Sequence, residues 1–182
     1  VRKMLTGGGE LHQHAVNTSL YSLSLGMVVY RGDLEQVRNL ALAALLHDVG
    51  RAPRKPDEEP GLPGTIYGER QYEPDYTHTT RGAQLLMELE CCEEAVLAAA
   101  EHHERADGSG APQGLSGRRI CLTARIVSLL NVFDHIRASQ QNYLGVFDTF
   151  KVVLDSYRNC FDAEVTQAFL QTFAVGHGRR RL

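Results

Sequence analysis

His47 and Asp48 stand side by side at the end of an apolar run, Ala43-Ala44-Leu45-Leu46. A neutral imidazole nitrogen beside a carboxylate oxygen is a starting pair of ligands for a divalent metal ion. Alone, such a dipeptide is an ordinary surface feature. What gives it weight is the other histidines: His14, His78 and the pair His102-His103 fall at helical positions on separate segments, where they could converge on it. An amide or acidic group near Asn131 to Asp134 adds an oxygen donor from a further segment.

Such groups meet only if helices carry them to one place. From Glu10 to Tyr30, Val16, Leu20, Leu23, Met27 and Tyr30 recur at alternating spacings of four and three, the helical period. Glu10, His14, Asn17 and Tyr21 form a second stripe on another face, so this helix is expected in the middle of a bundle. Asp33 with Gln36 predicts an N-cap and capping box for the next helix, with Leu34, Val37, Ala41 and Ala44 as its buried stripe and Gly50 as its stop. Residues 51–76 turn to proline, glycine and charge, which predicts a long loop or lid.

Helix resumes near Thr79 and runs to Leu89; another follows Cys91-Cys92 and ends in His102-His103-Glu104. Asp107 to Gly114 is a turn-rich loop. A long helix from Arg118 aligns Ile120, Ala124, Val127, Asn131 and Asp134, and two amphipathic helices, around 146–157 and 163–173, close the chain. No strand pattern and no internal repeat is present, so the fold class is all-α, a bundle of about seven helices.

The 182 residues suit one domain, with 1–9 (Gly7-Gly8-Gly9 included) as a flexible lead-in and 176–182 as a solvated basic tail. A net charge of −3 argues against a nucleic acid polymer as partner, and no apolar run is long enough for a membrane span. Cys91, Cys92, Cys121 and Cys160 lack a disulfide or C-x-x-C framework, which points to a reduced, cytoplasmic setting. The start at Val1 suggests a piece of something longer, leaving room for an upstream regulatory domain and for signalling-protein partners.

The order and text of these segments resemble the HD-GYP family, a branch of the HD superfamily of metal-dependent phosphohydrolases. The resemblance rests on His14-Ala-Val-Asn, Leu45-Leu-His-Asp-Val-Gly, Glu101-His-His-Glu, Asp107-Gly-Ser-Gly-Ala-Pro-Gln-Gly-Leu and Ala124-Arg-Ile-Val, and covers nearly the whole chain. It implies an HD-domain-like helical bundle that hydrolyses a cyclic dinucleotide, cyclic di-GMP first, at two or three divalent ions of iron or manganese. The implied metal ligands are His14, His47, Asp48, His78, His102 and His103, with Glu10 as the extra glutamate of the three-metal form. Asp48 would bridge two ions that share a hydroxide nucleophile, and Arg51 would meet the substrate phosphate. Asp107 is a candidate catalytic group or merely the shaper of a turn. His12, His135 and His177 fall outside the pattern and are expected to be exposed.

Four departures set a second reading beside the first. Arg51 replaces a lysine, keeping the charge but losing a proton to give. Ala111 replaces the tyrosine of the name-giving motif, and Gln140-Gln141-Asn142 replaces an Arg-Pro-Tyr segment. Counting from Arg125-Ile126 puts Asn131 at the last ligand position and Asp134 three residues on; alignment favours Asn131, an oxygen donor without charge. The alternative is therefore a catalytically weak sensor of cyclic dinucleotides or a protein-interaction module.

Overall fold

The computed structural model describes residues 4–51, 76–139, 145–157 and 159–174, with side chains placed for 12–51, 76–138, 145–157 and 159–173. Among these residues seven helices follow one another: α1 (Met4–Val29), α2 (Leu34–Leu46), α3 (Thr77–Glu88), α4 (Glu93–Glu101), α5 (Leu122–Ser139), α6 (Val146–Ser156) and α7 (Ala163–Ala174). Single 3₁₀ turns, Val49–Arg51 and Gly117–Arg119, follow α2 and precede α5, and no strand occurs among the described residues. The loop expected over 51–76 lies outside them except at its ends, as do Gln140-Gln141-Asn142, His177 and the basic tail.

The middle of the bundle belongs to α5. Ala124, Ile126, Val127, Leu129, Leu130, Val132, Phe133 and Ile136 are all buried, so the helix is enclosed on nearly every side. It packs against α1, α2, α4, α6 and α7. Phe133 meets Phe150 of α6 and Phe169 of α7 at ring-centroid distances of 5.5 and 5.0 Å, while Asp134, one residue on, reaches α1. Rings at such spacing add about 0.5–1.5 kcal/mol per pair beyond their buried area.

The central position expected for α1 is thus corrected. Its apolar stripe, Val16, Leu20, Leu23 and Met27, is exposed, and its inward face carries His14, Thr18, Ser22, Leu25 and Gly26. Thr18 Oγ1 donates to the His14 carbonyl at 2.9 Å and Ser22 Oγ to the Ser19 carbonyl at 2.7 Å. Hydroxyls bonded back to their own helix can be buried without an orphaned donor. Gly26 lets α2 close in, since a Cβ there would stand 3.0 Å from Leu40 Cδ2. Leu34 is likewise exposed, and the buried stripe of α2 is Val37, Leu40, Ala43 and Ala44.

Other boundaries hold or shift for local reasons. Asp33 caps α2, its Oδ1 accepting from Glu35 N at 3.1 Å and Gln36 N at 3.3 Å. The backbone of α1 is helical from Met4 through Gly7-Gly8-Gly9, although each glycine weakens a helix by about 1 kcal/mol relative to alanine. The long helix starts at Leu122 rather than Arg118, because Gly117 with φ of 54° turns the chain first. The four cysteines are half-buried free thiols.

Candidate metal centre

The sequence brings α2 to an end where its last carbonyls can orient a ring. His47, fully buried, donates from Nδ1 to the Ala44 carbonyl at 2.7 Å. His102, at the end of α4, does the same toward the Ala98 and Ala99 carbonyls at 3.0 and 3.1 Å. His14 Nδ1 lies 2.7 Å from Asp134 Oδ2, a carboxylate–imidazole pair. The acceptor at each Nδ1 assigns the proton there and leaves Nε2 as a lone pair, the arrangement of metal-binding histidines.

These lone pairs converge on Asp48. His78 Nε2 and His102 Nε2 lie 3.4 and 3.5 Å from Asp48 Oδ1, and His47 Nε2 lies 3.6 Å from Oδ2. His78 Nε2 is also 3.4 Å from His102 Nε2 and 3.1 Å from His103 Nε2. Two sets of donor atoms result, each within a 4.8 Å span: Asp48, His78, His102 and His103 in one, His14, His47 and Asp48 in the other. Asp48 stands in both.

Unpaired buried atoms test whether a cation fits. His14 Nε2 and His47 Nε2 have no hydrogen-bond partner, and neither does the Asn131 amide oxygen. A buried acceptor left alone costs about 1–3 kcal/mol, so His14 Nε2 and His47 Nε2, which share one donor set, fit a cation as their partner, and the Asn131 oxygen is a further buried donor atom on α5. Asp134 is fully engaged by comparison, its Oδ2 with His14 and its Oδ1 accepting from Asn17 Nδ2 at 3.0 Å. The donor chemistry, imidazole nitrogen with carboxylate and amide oxygen, suits a divalent transition metal.

Burial keeps two of the imidazoles, His47 and His103, neutral. Burial pushes His47 well below its ordinary value, against the pull of Asp48. His103 is likewise pushed down, first by burial and then by His102 and His78. Burial works against the Asp48 charge, but His47, His102 and Arg51 outweigh it and hold its carboxyl well below the usual range. Arg51 is itself buried, donating from Nε to Asp48 Oδ1 at 2.8 Å and from Nη2 to His78 Nε2 at 2.9 Å.

Backbone contact sets the spacing of the segments. A Cβ on Gly50 would fall 2.0 Å from the His78 carbonyl oxygen and 2.6 Å from Gly82 N, so close approach to α3, not a helix stop by positive φ, is what requires glycine here. Gly110 is similar: its Cβ would fall 2.3 Å from Arg105 N. The loop it belongs to is tied to Glu104, whose Oε1 and Oε2 accept from Gln113 N at 2.6 Å and Leu115 N at 2.8 Å.

Of the sequence candidates, then, His14, His47, Asp48, Arg51, His78, His102 and His103 come together, with Asn131 buried on α5. Glu10 lies on the α1 backbone one turn before His14, its side chain outside the described residues. Asp107 is exposed and is not one of the converging groups; its Oδ1 accepts from Ser109 N at 2.9 Å and Ser109 Oγ at 2.6 Å, a turn-shaping pattern. Those hydrogen bonds lower its pKa.

Three neighbours were not anticipated. His135, expected exposed, stacks on His14 with centroids 4.2 Å apart, and burial, then His14, pushes its pKa down to about 4. Nothing in the spacing marks it, since its partner lies on α1. Tyr76 sets its ring 5.3 Å from His103, edge to face. Glu104 could have been singled out as the last residue of Glu101-His-His-Glu, a buried acid beside two ligand candidates. His12 is exposed as expected.

A sequence profile of the HD domain matches residues 14–160, which spans every converging group. The chain belongs to the HD domain family. Within it, a cyclic di-GMP phosphodiesterase of Pseudomonas aeruginosa is 30% identical over 148 residues, covering 76% of this chain and 34% of that protein. A 3'3'-cGAMP-specific phosphodiesterase of Vibrio cholerae is 35% identical over 102 residues, covering 56% and 23%. This HD domain chain therefore spans between about a quarter and a third of the length of these relatives. Among solved structures, an HDG"Y"P protein from Bdellovibrio bacteriovorus superposes with a TM-score of 0.70 at 20% identity, covering 88% of this chain and 51% of that one, which bears on the fold alone.

Proposed function

We propose that the chain is a metal-dependent phosphodiesterase acting on a cyclic dinucleotide, cyclic di-GMP first and 3'3'-cGAMP second. The observation that carries this reading is Asp48, one carboxylate shared by two sets of imidazoles. One divalent ion would be held by Asp48, His78, His102 and His103, the other by His14, His47, Asp48 and Asn131, with Glu10 available to a third. A shell rich in nitrogen favours iron or manganese over magnesium. Such ions, when bound, supply Lewis acidity toward phosphate oxygens and lower the pKa of water.

The chain's own residues would do the positioning. Asp134 fixes the His14 ring, the Ala44 carbonyl fixes His47, and Glu104 braces the loop beside His103. Arg51 holds Asp48 through Nε, and its guanidinium would offer a fixed positive charge to a substrate phosphate, steadying charge without giving up a proton.

Turnover of cyclic di-GMP and 3'3'-cGAMP in the presence of manganese or ferrous iron, with Asp48→Asn as control, tests the proposal. Linear dinucleotide appearing with the parent chain and falling at least 100-fold in the variant supports it. The uncharged Asn131 and the loss of an aromatic at Ala111 favour a second reading, a metal-loaded sensor. Dinucleotide binding without any turnover would select that reading, and absence of both would remove the pair.

A further inference from the structure

The 20 residues from Leu11 to Tyr30 contain no aspartate, glutamate, lysine or arginine, yet much of this stretch of α1 faces outward. Val16, Leu20, Leu23 and Met27 on that helix, with Leu42 and Leu45 on the neighbouring α2, are each between 39% and 57% exposed. Ser19 Oγ bonds the Ala41 carbonyl at 2.9 Å, which sets these two rows of side chains side by side on one surface. Together the six present roughly 500 Å² of apolar side chain, as large as the largest patch of a typical monomer and most of the about 800 Å² one partner contributes to a stable interface.

The pattern also says what fits there. Spacings of four, three and four are the seam of a coiled coil, narrower than the wide stripe by which a helix joins a globular core. Read from either end, the spacings are the same. Two copies of α1 laid antiparallel about a twofold axis would therefore bring Val16 opposite Met27 and Leu20 opposite Leu23 along the whole seam, as a self-complementary interface requires. The flanking positions on α1, Gln13 and Ser24, carry no charge to repel a second copy. The six lining residues are leucine, valine and methionine, and a single cation, exposed Arg38 in line with Leu42 and Leu45 on α2, stands beside them, fewer than the several lysines and arginines by which an amphipathic helix grips a lipid surface.

We infer that the outer face of α1 and α2 pairs two copies of this chain in an antiparallel, twofold dimer centred between Leu20 and Leu23. The inference is independent of the catalytic reading. None of the six residues is a ligand candidate, so breaking the face leaves the metal centre intact.

Light scattering or sedimentation of the manganese-loaded chain, over a hundredfold concentration range reaching about 100 µM, reads the mass directly. A dimer of two 20.2 kDa chains is expected. Leu20→Glu combined with Leu23→Glu should halve the mass while leaving helicity and metal content unchanged. Leu20→Cys combined with Leu23→Cys should yield a covalent dimer under mild oxidation, whereas Leu20→Cys alone should yield no more than the parent with its four native cysteines. A parent chain that stays monomeric throughout overturns the inference. So does a dimer indifferent to the glutamate pair, a covalent dimer from Leu20→Cys alone, or a monomer whose face instead binds phospholipid vesicles.

Discussion

Asn131 and Asp134 sit three positions apart on one helix and do different work. Asp134 spends both oxygens on His14 and Asn17, whereas the Asn131 oxygen has no partner. Replacing Asn131 by aspartate adds a buried negative charge to α5. In chelator the Asn131→Asp chain should melt lower than the parent, by a few degrees, because the new carboxylate is buried unpaired. With manganese the order should reverse, and titration calorimetry should find the weaker of the two ions bound at least tenfold more tightly. At the other pole of the site, His47→Ala with Asp48→Ala removes donors from both sets. Metal analysis of that variant should find less than about a tenth of the parent's content, since even outer partners of a ligand are worth 10–100-fold in affinity. Residue identity was legible in the sequence wherever text surrounds a ligand, as in Leu45-Leu-His-Asp-Val-Gly. His135 was not, because its stacking on His14 joins residues 121 positions apart and no local pattern encodes it.

Among the elements, α6 and α7 fall within a residue or two of where periodicity puts them, and Asp33 begins α2 as its side chain dictates. α1 is the instructive failure. Periodicity finds two stripes, but the face that turns inward is neither as drawn: it runs from His14 through Thr18 and Ser22 to Leu25, because Thr18 and Ser22 satisfy themselves and His14 has Asp134 waiting. Gly50 teaches the same lesson. It reads as a helix stop, but its purpose is contact with the backbone of α3. Gly50→Ala should therefore cost more than about 2 kcal/mol, since neither the His78 carbonyl nor Gly82 N can swing aside. Thermal melting should show a drop of about 5 °C or more. Because His78 rides on the same segment, metal content should fall with it, whereas an alanine at exposed Gly32 should leave metal content unchanged.

For the whole molecule, acid is the expected weakness. His47, His103 and His135 are all held below the ordinary imidazole value near 6.5, His135 at about 4. Above pH 6.5 these rings are neutral whether the chain is folded or not, and their neutrality costs nothing. As pH falls through 6.5 the unfolded chain takes up protons that the folded one refuses, so stability is lost progressively toward pH 4. Melting of the metal-free chain should be flat from pH 8 to 7 and fall steeply below 6. His135→Gln should recover part of the loss, leaving the plateau near its parental value.

Arg51 gives the centre a further property. Its guanidinium is tethered to the chain, cannot be titrated away, and already lies against Asp48 and His78. The protein thus carries a resident counterion for the buried Asp48 carboxylate, one that no chelator can extract. Stripping and reloading should be repeatable on the same sample, and the architecture should tolerate exchange of one transition metal for another as cellular supply varies.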